Sequence, residues 1–336
     1  MKLGAPLASW DSERLADWLE LKALISADEN ASITDLVREL QRNGTTEERF
    51  PDEDDDDLSD DELEDEEDEL DAREQRAMRL AEDAFAAIED RKLACEIDGA
   101  YPFVIDSRSI QLRKGGLKSP YTFFLLLGEF GQKKGVKKGT KIFEHMCAWA
   151  TRAYLGPKTL TAVFGFPRDV PNLGKGFKKA VDDLCSLISE GVRCRDSDKV
   201  RDEKDAGLDI VAWRSFPDRR VGKLIAFGQC ATGDDWPSKT TELLPESWCG
   251  TWLAEAPAAW PVLRMFFLPY RVRVKDWDSV SRKAGLVFDR RRLAHCLALD
   301  PDADTVLADK WAEWTKELHE KLRAALESQL NVRVAS

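Results

Sequence analysis

Three separated positions place an acidic or amide side chain in an apolar setting. Glu144 lies near the start of a segment with helical periodicity, Asp209 lies in the strand-like run LDIVAW, and Gln229 lies near the end of the strand-like run KLIAFGQC. A charged side chain inside a core strand is costly unless it is paired or binds a metal. Carboxylate oxygens are ligands that hard divalent cations prefer. For Asp209 alone, the simpler alternative is a strand end where the carboxylate bonds nearby backbone or an arginine.

A lysine- and glycine-rich segment precedes the helix of Glu144. Between residues 113 and 141, eight Lys or Arg stand against one acid, and glycines recur at 131, 135 and 139. Glycine lets a backbone approach a phosphate closely, and a helix N-terminus favours anions. This segment is therefore the candidate contact with a DNA backbone, with a mobile, solvated loop as the alternative. The candidate DNA-binding residues are Lys133, Lys134, Lys137, Lys138 and Lys141.

The elements that must position these residues alternate between helix and strand. Helices are predicted from the lysine-rich loop onward and at 175–190, strands at 208–213, 223–230 and 262–268, a short helix near Pro237, and a terminal helix at 306–330. This alternation is typical of the α/β class. The region 131–336 is accordingly expected to form one α/β domain.

The N-terminal part divides into three regions by composition. Residues 1–50 read as two amphipathic helices, the second with a capping box at Ser32 and Asp35 and a stop at Asn43-Gly44. Residues 51–71 are predicted to be an extended, disordered acidic linker. Residues 72–130 hold a helix, a strand pair around 106–109, and an apolar run at 121–127 that fits a buried strand or a short helix.

Taken in order, IFE at 142–144, GLDIVAW around Asp209 and LIAFGQC ending at Cys230 resemble the PD-(D/E)xK, restriction-endonuclease-like, superfamily. The resemblance covers about residues 139–244. It implies a central mixed sheet flanked by helices, here with a helical N-terminal extension. It also implies a metal-dependent nuclease in which Glu144 and Asp209 bind Mg²⁺ or Mn²⁺, the carbonyl of Cys230 completes the coordination, and Gln229 occupies the third motif position.

One position departs from the pattern that this superfamily shows. The lysine expected two residues after Gln229 is Ala231. Lysine migration onto a neighbouring helix is tolerated in the family, so Lys239, in the helix that begins near Pro237, is the expected replacement. Lys223 reads as an ordinary lysine at a strand edge. The resemblance therefore implies a catalytic set of Glu144, Asp209, Gln229 and Lys239.

The charge distribution decides which partners are compatible with an acidic chain. The 336 residues carry a formal net charge of −13, yet residues 52–71 alone hold sixteen acids and no base, which leaves 47 acids against 50 bases elsewhere. Outside residues 52–71 the protein is thus about neutral, so its charge does not exclude binding to DNA. No apolar run is long enough to span a bilayer, and seven scattered cysteines without a C-x-x-C pair indicate neither a disulfide framework nor a zinc knuckle. We expect a cytoplasmic location and no membrane partner.

Two functions from different classes remain compatible with these observations. The first is a DNA endonuclease that serves in prokaryotic defence and is controlled by a protein partner such as an NTPase, a context that the resemblance implies. The second, suggested by Ala231, is a catalytically inactive descendant that binds nucleic acid or scaffolds a complex. RNA cleavage is a further possibility. The acidic run could mimic nucleic acid and occupy the basic groove, or serve only as a solubilising linker.

Overall fold

A computed structural model describes residues 2–47, 60–133, 136, 138–196, 200, 203–218, 220–259, 261–298 and 305–334. The chain divides into two compact units, Met1–Thr122 with Thr315–Ser336, and Phe123–Trp314. The division falls inside the helices α4 (Pro120–Phe130) and α11 (Thr305–Val334). Within the described ranges, no helix combines the length and the apolar character that crossing a membrane requires.

The first unit combines long helices with a small antiparallel sheet, whose strands are in the order β1-β3-β2. Its elements, besides the start of α4 and the end of α11, are α1 (Ser12–Ile25), β1 (Asn30–Ser32), α2 (Ile33–Glu47), α3 (Asp60–Ala94), β2 (Phe103–Asp106) and β3 (Ser109–Leu112). The predicted strand pair around residues 106–109 is confirmed by the pairing of β2 with β3.

A buried ion cluster joins α1 to α3. The guanidinium of Arg91, on α3, lies 2.5 Å from the carboxylate of Glu13, 2.8 Å from that of Asp17 and 2.9 Å from that of Glu20. Arg91 and Glu20 are fully buried. The Tyr121 hydroxyl also donates to Glu20 at 3.0 Å. A buried charge is tolerated when partners surround it in this way.

Three helix boundaries in this unit differ from the sequence expectations or sharpen them. The capping box is confirmed, because the Ser32 hydroxyl accepts the Asp35 N–H while Asp35 accepts the Ser32 N–H. The predicted stop at Asn43-Gly44 is wrong, since α2 continues to Glu47. The helix expected to begin near residue 72 starts at Asp60, so residues 60–71 of the acidic run are helical rather than extended.

Residues 51–59 of the acidic run lie outside the described residues. At the other end of this region, the apolar run at 121–127 lies within the helix α4 rather than in a strand.

The second unit is built on a mixed five-stranded sheet with strand order β4-β5-β6-β7-β8, which confirms the α/β class. The first three strands form an antiparallel meander, whereas β7 runs parallel to both β6 and β8. The strands are β4 (Leu160–Val163), β5 (Ile210–Arg214), β6 (Leu224–Cys230), β7 (Leu263–Phe267) and β8 (Leu286–Phe288). The helices wholly within the unit are α5 (Lys138–Leu155), α6 (Phe177–Ile188), α7 (Trp236–Lys239), α8 (Pro245–Trp252), α9 (Val274–Ala284) and α10 (Arg290–Ala298).

Helices pack on this sheet so that its central strands are buried. The side chains of Val211 on β5 and Phe227 on β6 join residues of α6 and α8 in one hydrophobic cluster. Helix α5 packs against β4 and β5 and buries Phe143, Met146 and Cys147. The helical spacing of these apolar positions leaves Glu144 beside the buried stripe of α5.

Candidate functional site

The carboxylates of Glu144 and Asp209 converge on Gly165, which lies just after β4. A side chain at Gly165 would displace the two carboxylates, because a Cβ would stand 2.7 Å from Glu144 Oε2 and 2.8 Å from Asp209 Oδ1. The two carboxylate oxygens are therefore separated by no more than the sum of these distances. Both residues are half-buried. The structure thus brings together the two acids that the sequence analysis selected from a helix and a strand.

Backbone bonds at the start of β5 hold Asp209 in place. The carbonyl of Asp209 accepts the N–H groups of Phe164 and Gly165, and its own N–H donates to the Gly228 carbonyl at 2.9 Å. The regular register pairs Ile210 with Gly228, so the ladder is irregular at Asp209. Simple strand alternation, which would put Asp209 on the face of Val211, therefore does not apply at this position. The carboxylate of Asp209 instead accepts the Cys230 N–H at 2.7 Å.

Lys141 is the lysine that the structure brings to the carboxylate pair. Its Nζ lies 2.7 Å from Glu144 Oε2 and donates to the carbonyl of Gly165 at 2.9 Å. The same Nζ lies 3.9 Å from the carboxylate of Asp169. The sequence analysis assigned Lys141 to contact with the DNA backbone, and its ammonium lies instead within the acidic cluster, one helical turn before Glu144.

Burial makes the two carboxylates unusually weak acids. Burial raises the pKa of Glu144 to about 7, although the charge and hydrogen bond of Lys141 act in the opposite direction. The pKa of Asp209 is raised well above its usual value, first by burial and then by repulsion from Glu144, against the stabilising Cys230 N–H. A cation near both oxygens would relieve this cost.

Further acids surround the pair, and the sequence analysis did not select them. Asp205 raises the pKa of both Glu144 and Asp209, and its carboxylate accepts the Phe166 N–H at 3.2 Å. Asp169 bonds the ring of His145 at 3.1 Å. Both acids lie in loops that flank short strands. The strand β4 was not predicted, so no pattern in the sequence placed the following loop beside Glu144.

The side-chain contacts of Gln229 and Lys239 described here do not involve Glu144 or Asp209. The side-chain amide of Gln229 donates to Glu242 at 2.8 Å, and its carbonyl oxygen accepts the Leu243 N–H at 3.3 Å. Lys239 lies on α7 as predicted, where its Nζ is 3.5 Å from Asp235. Among the contacts of the described residues, none joins Lys239 to Glu144 or Asp209. The prediction that Gln229 and Lys239 act with the acids has no support in these contacts.

The donor set fits a hard cation better than a soft one. Burial raises the pKa of Cys147, although the hydrogen bond with Cys230 acts in the opposite direction, and burial and the Cys147 thiol together raise the pKa of Cys230, so both sulfurs stay protonated. In the described part of the chain, no group of three or more His, Cys, Asp or Glu is arranged to hold a metal. The carboxylates of Glu144 and Asp209 form a smaller set. Mg²⁺ accepts such a set, because it keeps several waters and takes further oxygens from a phosphate.

The lysine-rich loop is described in part. Lys134 and Lys137 lie outside the described residues. Lys133 lies 3.6 Å from Glu129 and sits over the ring of Phe130, while Lys138 is exposed at the first residue of α5. Gly139 was expected to let the backbone approach a phosphate, but its surroundings give another reason for a glycine at this position. Gly139 is buried, and a Cβ there would stand 2.6 Å from the ring of Trp314.

Comparisons with known proteins were made against family models, curated proteins and solved structures. None of these three comparisons finds a match for the chain.

Proposed function

We propose that the unit Phe123–Trp314 hydrolyses phosphodiester bonds of DNA with the help of a divalent cation, Mg²⁺ or Mn²⁺. The observation that carries the proposal is the convergence of Glu144 and Asp209 on Gly165, with Lys141 bonded to Glu144. The order of the helix acid, the strand acid and the following strand agrees with the restriction-endonuclease-like resemblance. The antiparallel meander β4-β5-β6 followed by the parallel strand β7 is compatible with the mixed sheet that the resemblance implies.

Glu144, Asp209 and the carbonyl oxygen of Cys230 are the groups that would hold the cation. A divalent cation supplies polarisation of the phosphate and a lower pKa for a bound water. The Cys230 N–H fixes the carboxylate of Asp209, and the absence of a side chain at Gly165 leaves the space between the acids open. The two raised carboxyl pKa values support the fit, because positive charge would favour the ionised forms.

Lys141 is the better candidate for the catalytic lysine than Lys239. Its ammonium already lies at the acids, whereas that of Lys239 pairs with Asp235. Lysine in such a place stabilises the charge that builds up on the phosphate oxygens during the reaction. The partners in this proposal are DNA and a regulatory protein such as an NTPase.

A second candidate function is a catalytically inactive protein that binds nucleic acid or scaffolds a complex. The observation that favours it is Ala231, which occupies the family's lysine position and is buried in a hydrophobic cluster with Phe266 and Val287. No long polar side chain reaches the site from that position. This function keeps the fold but requires no turnover.

Cleavage assays distinguish the two functions. Plasmid, linear duplex, single-stranded DNA and RNA are incubated with the full chain and either Mg²⁺ or Mn²⁺. We expect cleavage of DNA that EDTA and Asp209→Ala abolish, while Asp218→Ala, an exposed acid outside the site, leaves the rate unchanged. Cleavage of RNA alone would identify RNA, and not DNA, as the substrate. No cleavage, together with no metal-induced shift in melting temperature, would favour the inactive scaffold.

The lysine assignment has its own pair of variants. Lys141→Gln removes the ammonium at Glu144, and we expect a loss of cleavage rate of about 100-fold or more, as for removal of one preorganised charge donor. Lys239→Gln is the matched control and should retain the rate. Loss in Lys239→Gln with retention in Lys141→Gln would restore the assignment made from the sequence.

A further inference from the structure

A cleft lies along the edge strand β4, beside the acidic cluster. Its volume is about 540 Å³, within the range of about 300–1,000 Å³ that is usual for small-molecule sites. It is lined by β4, by one row of α5, by the loop at 170–173 and by the beginning of α11. All of these segments belong to the unit Phe123–Trp314.

The row on α5 connects the cleft to the carboxylate pair. His145, Trp149 and Arg152 line the cleft, and they follow Lys141 at intervals of three or four residues, so all four lie on one side of the helix. From Lys141 to Arg152 this row extends about 16 Å along the helix axis. The cleft therefore begins where the acidic cluster ends.

The lining combines positive charge with apolar surface. Arg152 and Lys310 contribute two cations, and of the described residues that line the cleft none is Asp or Glu. Asp169 lies near its border, where its carboxylate bonds the ring of His145. The remaining wall is largely apolar, and Leu160 on the edge strand is 51 % exposed. A ligand that suits this lining has an anionic group at one end and a flat or apolar body at the other.

We propose that this cleft binds a nucleotide, with the phosphate near Arg152 and Lys310 and the base against the apolar wall that includes Leu160 and Trp149. Guanidinium and ammonium groups are the usual partners of phosphate. The nucleotide can come from a single strand that runs on from the carboxylate pair, or it can be free in solution. Binding requires neither a metal nor hydrolysis, so the proposal does not depend on the proposed function.

Isothermal titration calorimetry in EDTA tests the site with adenosine 5′-monophosphate as the probe. Adenosine and inorganic phosphate are the matched probes that carry only one half of the ligand. We expect Arg152→Gln, Lys310→Gln and Leu160→Glu to raise the dissociation constant of the monophosphate about tenfold or more, since each weakens or opposes a charge-assisted contact. Lys275→Gln on α9 and Leu224→Glu on β6 are controls at exposed positions outside the cleft, and they should leave it unchanged.

A competition arm separates the two sources of the nucleotide. A 5′-phosphorylated single-stranded hexanucleotide that displaces the monophosphate assigns the cleft to a strand, whereas failure to displace it assigns the cleft to a free nucleotide. The proposal is overturned if adenosine 5′-monophosphate binds no more tightly than adenosine or phosphate. It is also overturned if all three cleft variants, with melting curves like the wild type, bind the monophosphate as the wild type does.

Discussion

Replacing Glu144 by Gln removes a charge that the metal-free protein holds at a cost. The pKa of Glu144 rises from 4.5 to about 7 on folding, so the folded protein binds its proton more tightly than the unfolded chain does. The contribution of this group to the free energy of unfolding therefore falls as pH rises from about 4.5 through about 7. At pH values above about 7, the full pKa shift corresponds to a loss of about 3 kcal/mol in the free energy of unfolding. Glutamine keeps an oxygen that can accept from Lys141, yet it cannot ionise.

We expect the Glu144→Gln variant and the wild type to have equal stability near pH 4.5 and to diverge as pH rises. At pH 8 in EDTA the difference should reach about 3 kcal/mol, because the pKa of about 7 already includes the opposing effect of Lys141. A difference of about 3 kcal/mol corresponds to about 6–12 °C in the melting temperature of a unit of this size. Differential scanning calorimetry at pH 4.5, 6, 7 and 8 measures it, with Glu246→Gln on the exposed face of α8 as the control.

A saturating divalent cation should reverse this order. At a cation concentration of about 100 times the dissociation constant, the wild type gains about 2.7 kcal/mol. The variant, which lacks one of the two carboxylates, should gain much less. Parallel pH profiles for the wild type and Glu144→Gln in EDTA would refute the electrostatic reasoning. An equal response of both proteins to the cation would refute the ligand assignment.

Three further substitutions test separate parts of the structure. Gly165→Ala places a methyl group against both carboxylates, so we expect at least a tenfold loss of affinity for Mn²⁺ in a calorimetric titration. Arg91→Leu leaves three acids of the first unit without their cation, and denaturant unfolding should show a loss of about 3–5 kcal/mol. Gly139→Ala drives a methyl group into the ring of Trp314, and a loss of about 1–3 kcal/mol should appear as a lower melting temperature.

Elements with strong local signals were predictable from the sequence. The helical spacing of apolar residues located α1. The capping-box pattern of Ser32 and Asp35 located the start of α2, and the structure shows its two reciprocal hydrogen bonds. The strands β5 and β6 followed from short apolar runs that flank a Pro-Asp turn. In each case the structure-forming interactions lie within a few residues of one another, where sequence patterns report them directly.

The short edge strands were not predictable in the same way. The strands β4 and β8 have four and three residues, too few for an alternation pattern to distinguish them from a loop. Their conformation depends on pairing with strands that are distant in sequence. Asn43-Gly44 failed as a stop signal for a related reason, since α2 packs against α3 and tertiary contacts can outweigh a local preference.

The carboxylate pair was predictable in its members but not in its partners. Glu144 and Asp209 stood out as charges in apolar segments. This signal is strong because burying an unpaired charge has a high free-energy cost. The choice of lysine depended on how far each ammonium is from the acids in space, and sequence distance carried no information on that. Lys239 is nearer to Gln229 along the chain, whereas one turn of α5 brings Lys141 to Glu144.

The strand order of the second unit also has a consequence for the rate of folding. The hairpin of β5 with β6 pairs strands that a short turn separates; Asp209 immediately precedes this hairpin and Cys230 is its last residue. The pairing of β6 with β7 is parallel and closes a much longer loop than this hairpin does, so it is entropically slower to form. We therefore expect the residues of this hairpin to gain protection from hydrogen exchange during refolding before β7 and β8 do. The hairpin alone does not bring the two acids together, because Glu144 lies on α5. Repulsion between Glu144 and Asp209 arises only when α5 packs against β5, so a cation present during refolding should accelerate that later step.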